Sequence, residues 1–242
     1  MTESRGIVLR VATYNVHRCR GLDGRTRPER IAEVLHGIGA DIVALQEVVG
    51  AGARHGGHSE LLGAALGMGW VMSSARLLWG HQFGNVVLSR FPVTHHVTYD
   101  LSWKTCEARN CLRADLDIDG QLLHLYNVHF GTAILERRVQ ATRLAGIVSD
   151  RRVIGPKVVL GDFNEWTRGP ASALLSERLQ GIDLAAHLQR RRTYPGVLPL
   201  VHLDHIYYQG SVEVLKVELV RTRRALIASD HLPLVAELRV RW

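Results

Sequence analysis

The chain has 242 residues, enough for one large domain with a substantial buried core, and 46% hydrophobic against 22% charged residues is ordinary for a globular protein. No apolar run reaches the roughly 18–20 residues of a membrane-spanning helix. Thirty Lys and Arg against 23 Asp and Glu give a formal charge of +7, which favours acidic partners such as nucleic acid, anionic lipid or phosphorylated small molecules.

Met1–Gly6 has no basic start, apolar stretch and small-residue cleavage site of a secretory leader, so a cytoplasmic location is expected, with peripheral attachment to a membrane surface as a second option. A strand is expected over Ile7–Val16, which is apolar and β-branched. Thr26-Arg27-Pro28 opens a helix in which Ile31, Val34, Leu35 and Ile38 fall at i, i+3, i+4 and i+7, and Gly39 closes it. Asp41–Val48 is a near-continuous apolar run, as in a strand covered on both faces. Gly50–Gly57 reads as a surface loop and Ser59–Leu66 as a short helix. Strands follow at Asn85–Ser89, Leu112–Ile118 and Leu122–His129, then a long helix from about Thr132 to Ser149 with Ala141, Leu144, Ala145 and Val148 on one stripe. Lys157–Leu160 is a buried strand, Ala171–Leu179 a helix, and Tyr194–Leu200, with two prolines, a loop. Leu203–Tyr208, Val212–Val220 and Leu232–Val240 complete the strands. No repeat, low-complexity tract or linker interrupts this order, so a single domain over residues 1–242 is expected. Many strands with few helices predict two sheets packed face to face with helices on the outer faces.

The informative polar residues stand at strand ends, where a rigid sheet can gather a site. Asn15 and His17 close the first strand, Glu47 closes Ile42–Gln46, and His129 closes Leu122–Val128. Asp162 and Asn164 follow Val158–Leu160, Asp204 lies in Leu203-Asp204-His205-Ile206, and Asp230 and His231 precede the last strand. Glu47, with Asp230 or Asn15, offers hard oxygen ligands, which suit Mg²⁺ or Mn²⁺ better than zinc. Asp162 is placed to orient and deprotonate an attacking water, and Asn164 and Asn15 to donate amide N–H bonds to phosphate oxygens. His231 titrates near physiological pH, and a carboxylate such as Asp204 would fix its tautomer and favour its cation. His129 is a second proton-donating group. Together they meet the needs of phosphoryl displacement: a nucleophile, a charge clamp and protonation of a leaving group. Each piece alone has a plain structural reading, since Gly-Asp-Phe-Asn also suits a turn. The order and spacing of the whole set carry the argument.

That set resembles the endonuclease/exonuclease/phosphatase superfamily. The matching segments are Thr13-Tyr14-Asn15-Val16, Leu45-Gln46-Glu47, Gly84-Asn85 with Leu88–Pro92, Asn127-Val128-His129, Gly161–Asn164, Asp204-His205-Ile206 and Ser229-Asp230-His231. Asn15–Arg18 followed by the loop Gly21–Arg25, and Arg192–Pro195 before the Leu-Asp-His-Ile strand, resemble a short bacterial branch. The resemblance implies a four-layer α/β sandwich and a Mg²⁺-dependent phosphoesterase (or one using Mn²⁺). By position it implies Glu47 as main metal ligand with Asn15 beside it, and Asp230 as an adjacent acid implicated in metal binding. It also implies Asp162 and Asn164 handling water and phosphate, and His231 partnered by Asp204. His129 matches the deoxyribonuclease and lipase-like branches and argues against abasic-site repair. The substrate expected is a phosphate ester, with a lipid head-group or small-molecule phosphodiester slightly favoured and nucleic acid as the alternative. No stable protein partner is implied.

Other candidates carry two readings. His17, two residues from Asn15, shares its face if the strand continues. Asn85 follows Gly84 as a cleft-facing residue or a turn residue. Arg109 contacts substrate phosphate or joins a structural ion pair. His55, His58, His95 and His96 read as loop or solvated strand residues. Arg190-Arg191-Arg192, and Arg221, Arg223 and Arg224, are solvated faces or, if they flank the cleft, anion binders. Three of the 30 basic residues are lysines (Lys104, Lys157 and Lys216) and the remaining 27 arginine, whose planar fork grips phosphate, although GC-rich coding produces the same excess. Cys19, Cys106 and Cys111 are odd in number and lack C-x-x-C spacing, so free thiols are expected and neither a disulfide framework nor a zinc site. A non-catalytic binding module on the same fold is the rival from another class. Such a module would normally have lost some of Glu47, Asp162, Asp204, Asp230, His129 and His231, all of which are present.

Overall fold

The N-terminal strands and the last two strands of the chain build one sheet, and the strands between them build a second sheet that packs against it. A computed structural model describes residues 6–53, 56–166, 169–196, 198 and 200–242. In chain order its elements are β1 (Ile7–Asn15), α1 (Pro28–Ile38), β2 (Ile42–Gly52), α2 (His58–Leu66), β3 (Gly69–Leu78), β4 (His81–Ser89), β5 (Val93–Asp100), β6 (Asn110–Ile118), β7 (Gln121–His129) and α3 (Ile134–Val148). They continue with β8 (Lys157–Asp162), α4 (Pro170–Ser176), β9 (Gln180–Gly181), α5 (Leu184–His187), β10 (Asp204–Gln209), β11 (Val212–Leu219), α6 (Arg223–Ala228) and β12 (Leu234–Val240).

Two six-stranded mixed sheets result, ordered β11-β12-β1-β2-β4-β3 and β5-β6-β7-β8-β10-β9. Between them lie Leu9, Val11, Ile42, Ala44 and Val87 from the first sheet, against Leu112, Ala114, Leu125, Val158 and Leu160 from the second. The intervening residues face outward. Ala12, Tyr14, Val43 and Leu45 pack on Ile31, Val34, Leu35 and Ile38 of α1, while Tyr126, Val128 and Val159 pack on Ala141, Leu144 and Val148 of α3. This is the expected four-layer α/β sandwich, and the apolar runs of β2 and β8 are apolar throughout because both of their faces are covered.

Several expectations are corrected. Gly50–Gly52 belong to β2, whose register with β4 shifts between Leu45 and Val48 and again between Val49 and Gly52. A Cβ on Gly50 would lie 2.4 Å from Met72 Sδ, so the Met72 side chain packs directly over this glycine. β3 and β5 were not expected, because as edge strands with one solvated side they carry the weak patterns Ser73-Ser74 and His95-His96. α4 begins at Pro170 and is shorter than the expected Ala171–Leu179. His95 and His96 are exposed strand residues as expected, and His58 is half-buried at the start of α2. The expectations for His55 and for Met1–Arg5 fall outside the described residues.

Candidate active site

Strand pairing assembles the site. Parallel pairing of β7 with β8 sets His129 beside Asp162, and antiparallel pairing of β8 with β10 sets Asp204 on its other side. Cross-strand partners share a face, so His129, Asp162 and Asp204 form one row across three neighbouring strands. Gly161 makes the row possible: its φ is +152°, and a Cβ there would lie 1.9 Å from Val128 O of β7. In the facing sheet Asn15 ends β1 opposite Gln46. Glu47 sits in the β2 bulge with φ +57°, a left-handed conformation that costs a non-glycine residue about 1–3 kcal/mol. The bulge takes Glu47 out of strand alternation and leaves its side chain 24% exposed.

The two sheets meet at Asn15. Its Nδ2 donates to Asp162 Oδ2 at 3.0 Å and to Glu47 Oε1 at 3.2 Å, while its Oδ1 accepts from His17 N at 3.0 Å. The backbone N–H of His17 admits only an acceptor, so the amide orientation is fixed. This corrects one expectation: Asn15 presents N–H groups to the carboxylates, and its oxygen is engaged away from them, so it serves as a positioning donor and not as an oxygen ligand.

His231 lies in the turn between α6 and β12. Its Nδ1 donates to Asp204 Oδ2 at 3.1 Å and its Nε2 is 3.6 Å from Asp162 Oδ2. From the other side His129 Nε2 is 3.7 Å from the same Oδ2 and 4.0 Å from Glu47 Oε1. Asp162 and Asp204 have side chains only 1% and 0% exposed. Burial raises the Asp162 carboxyl to about 6, with His231 opposing and Asp204 adding to the rise. For His231, burial disfavours the cation, but the Asp204 and Asp162 carboxylates outweigh it and raise the pKa to about 10. His129 is driven well below 6.5 by burial, then by Arg109 and His231. At neutral pH the row therefore holds a neutral His129 and a cationic His231 on either side of Asp162. Opposed protonation of neighbouring groups in a cleft is a mark of acid–base function.

Asn164 has φ +50°; its N–H donates to Asp162 Oδ1 at 2.9 Å and its Nδ2 to Phe130 O at 2.8 Å. His17 reaches the site by a different route from the one expected. β1 ends at Asn15, and His17–Cys19 form a single 3-10 turn with φ of +44°, +59° and +56°. That turn brings His17 Nδ1 to 3.5 Å from Asp230 Oδ1, and Asp230 remains 26% exposed at the cleft mouth. Arg109 joins an ion pair with Glu107 at 2.8 Å and is close enough to His129 to disfavour its cation. Asn85 does not reach the cleft. It is 2% exposed, and its Nδ2 donates to Asn110 O and Oδ1, each at 3.1 Å.

Asn85 belongs to an amide layer beneath the site to which the sequence reading gave no role. Gln46 Nε2 donates to Asn127 Oδ1 at 2.8 Å, and Asn127 Nδ2 donates to Leu45 O and Val86 O, both at 2.9 Å. Gln46 and Asn127 sit within the segments Leu45–Glu47 and Asn127–His129, where their polarity amid apolar strand residues was the available signal. Tyr194 was also missed as a site residue; its ring lies 4.9 Å from that of His231. Burial, then Asp230, Asp162 and Glu47, raise its phenol pKa, so the three carboxylates converge around it.

Among the described residues, no three His, Cys, Asp or Glu side chains cluster tightly enough to hold an ion unaided. Glu47 and Asp230 are the partly exposed carboxylates of the site, and both offer only oxygen. That donor set fits a hard divalent cation that keeps most of its water, and it does not fit zinc.

The chain matches the Endonuclease/Exonuclease/phosphatase family over residues 12–231. It is 32% identical over 248 residues to the uncharacterized protein YbhP of Escherichia coli strain K12, covering 96% of each chain. It is similar in structure to an endonuclease/exonuclease/phosphatase family protein from Bacteroides thetaiotaomicron, with a TM-score of 0.82, 18% identity, and 99% and 97% of the two chains covered. It is likewise similar to D. rerio TDP2 complexed with single strand DNA product, with a TM-score of 0.76, 18% identity, and 96% and 99% covered. At these identities the structures speak for the fold alone. The family match over nearly the whole chain goes further: the protein is a member of the endonuclease/exonuclease/phosphatase family.

Proposed function

We propose that the chain is a divalent-metal-dependent phosphoesterase that cleaves its substrate by in-line attack of water, acting on a lipid head-group or small-molecule phosphodiester. The observation that carries this reading is Asp162 Oδ2, which is held by Asn15 at 3.0 Å and faced by His231 at 3.6 Å and His129 at 3.7 Å. A carboxylate with a pKa of about 6 is suited to take a proton from water at neutral pH. His231, kept cationic by Asp204, is suited to stabilise charge on the phosphoryl oxygens and is correspondingly a poor base. On this reading Asp162 is the base and His231 the charge stabiliser, two roles that residue types alone leave interchangeable. Neutral His129 supplies a second hydrogen bond beside the attacked phosphate. Glu47 and Asp230 would hold Mg²⁺ or Mn²⁺, which when bound supplies charge stabilisation to the phosphate and the leaving oxygen.

Exposed apolar side chains on segments at the catalytic end favour a lipid or small-molecule substrate. Leu77 and Trp79 are 69% and 79% exposed at the β3–β4 turn, and Trp166, two residues past Asn164, is 68% exposed. A nuclease reading is the alternative, supported by the +7 charge and by the DNA product bound to the D. rerio relative. The test is hydrolysis of bis(p-nitrophenyl) phosphate, phospholipid vesicles and single- and double-stranded DNA with Mg²⁺ or Mn²⁺, comparing wild type with Asp162→Asn. Turnover lost in the variant supports the reading. A wild-type rate retained in Asp162→Asn, or full turnover in EDTA, would overturn it. The preferred substrate decides between lipid, small molecule and nucleic acid.

A further inference from the structure

The chain preceding Tyr194 leads directly into the wall of the candidate site and is strongly basic. Thr193 is fully buried; its carbonyl accepts from Leu232 N at 3.0 Å and its Oγ1 accepts from Leu203 N at 3.1 Å. It therefore bridges the residues that flank His231 and Asp204. Immediately before it, Arg190, Arg191 and Arg192 gather with Arg221 around a groove of about 680 Å³, closed by Ala185, Leu188 and Gln189. No acidic residue lines this groove among the described residues.

A neighbouring cavity of about 860 Å³ shares Arg191 and Arg192 and extends to Trp166 and His202. Its two carboxylates are engaged elsewhere. Glu165 accepts from Ala171 N at 3.1 Å and Ser172 N at 2.8 Å at the start of α4, and Asp183 accepts from Ala185 N at 3.0 Å. His202 Nε2 is buried without a hydrogen-bond partner among the described residues. Burial lowers the pKa of His202, with Asp204 opposing and Arg191 adding to the fall, which places Arg191 within electrostatic reach of the strand that carries Asp204.

Four arginines line the groove with no acidic residue beside them in its described lining, and a multivalent oxyanion matches their planar donor forks. By contrast Arg224 is neutralised by Glu33 at 2.9 Å and stays a solvated surface residue. We propose that the Arg190–Arg192/Arg221 groove is a second oxyanion site, which takes a phosphate group other than the one hydrolysed. The occupant is either a second phosphate of the substrate or free inorganic phosphate. Thr193 and Tyr194 join the groove to His231, so an occupant of the groove is positioned against the catalytic wall. The binding claim stands apart from the proposed reaction; only its catalytic arm rests on it.

The test uses the full chain. Inorganic phosphate is titrated calorimetrically in EDTA into wild type, into Arg192→Ala/Arg221→Ala, and into Arg239→Ala/Arg241→Ala. The last variant removes the same charge at Glu213, away from the site. Affinity at least about 10-fold weaker in the first variant alone supports the site. Equal affinity in all three, or equal loss in both variants, overturns it, since the second result reports only net charge. Unchanged circular dichroism and midpoint temperature confirm folding of these variants. The kinetic arm compares thymidine 3′-p-nitrophenyl phosphate with and without a 5′-phosphate. A KM ratio that rises about 10-fold in Arg192→Ala/Arg221→Ala assigns the groove to the substrate's second phosphate. Weakened phosphate binding with an unchanged ratio assigns it to free phosphate. Absence of turnover of these probes and of bis(p-nitrophenyl) phosphate, phospholipid vesicles and DNA alike sinks the proposed reaction and leaves the binding result standing.

Discussion

Asn15 Nδ2 lies 3.0 Å from Asp162 Oδ2, although the two residues belong to different sheets and are 147 positions apart. The bond crosses the sandwich at the point where Glu47 also accepts from Asn15, so one amide holds two carboxylates whose mutual repulsion would otherwise spread the site. Asn15→Ala removes a donor from a buried carboxylate, and a group left unsatisfied in that way costs about 1–3 kcal/mol. We expect Asn15→Ala to lower urea-unfolding stability by about that amount and turnover by about 10²-fold. Asp162→Asn keeps an acceptor for Asn15 but loses the base, so its turnover should fall at least as far with a smaller stability change. Equal stability losses in both variants would mean that the bond matters little and the carboxylate itself holds the site.

His231 gives a pH dependence whose sign is determined. Its pKa rises from 6.5 to about 10 on folding, because the attraction of Asp204 and Asp162 exceeds the cost of burying the cation. A group whose folded pKa exceeds its unfolded one binds its proton more tightly when folded. Its contribution is therefore complete below pH 6.5 and is lost as pH rises through about 10. In EDTA, the difference in unfolding midpoint between wild type and His231→Gln should be widest near pH 6 and shrink steadily towards pH 10. A difference that grows with pH would show that His231 is neutral in the folded protein.

The sandwich was legible because β2 and β8 are buried on both faces and carry near-continuous apolar runs, with the apolar residues of β1 and β7 beside them. β3 and β5 were not, because these two edge strands carry weak patterns such as Ser73-Ser74 and His95-His96 and are fixed by their partners. The row of Asp162, His129 and Asp204 was legible as strand-end polar residues in a characteristic order. The orientation of Asn15 was not, because it depends on a 3-10 turn at His17–Cys19 in which three consecutive non-glycine residues have positive φ. No local propensity announces that turn. Asn85 was misplaced for a related reason. A polar residue after a glycine suits a cleft edge as well as an interior tie, and only the opposing Asn110 decides between them.

Glu47 is expected to set the metal requirement. It is one of the two partly exposed carboxylates of the site, and its bulge holds it there at the expense of a left-handed backbone. Glu47→Gln preserves the hydrogen bond from Asn15 while weakening a hard oxygen ligand. The Mg²⁺ concentration for half-maximal turnover should rise at least about 10-fold, with the maximal rate at saturating Mg²⁺ falling less than in Asp162→Asn. If the Mg²⁺ dependence of Glu47→Gln superimposed on that of the wild type, the metal would have to be held elsewhere, and Asp230→Asn would be the next variant to titrate.

Asn127 tests how far the amide layer beneath the site governs the sandwich. Its Nδ2 serves Leu45 O and Val86 O of the facing sheet and its Oδ1 accepts from Gln46, whose amide also donates to Thr13 Oγ1 and Ala44 O, so two buried carbonyls take donors from this one side chain. Asn127→Leu is close in size and adds apolar surface, worth roughly 1.5–3 kcal/mol if packing alone decided. Against that, two buried carbonyls lose a donor, each costing about 1–3 kcal/mol, while Gln46 keeps Thr13 and Ala44 as partners. The penalties exceed the gain, so stability should fall by about 1–3 kcal/mol in urea unfolding. Leu45 and Val86 flank the Glu47 bulge, so activity should fall as well in whatever fraction stays folded. A variant as stable as wild type would show that the layer is a tolerated remnant and that the apolar contacts between the sheets suffice to set their spacing at the catalytic row.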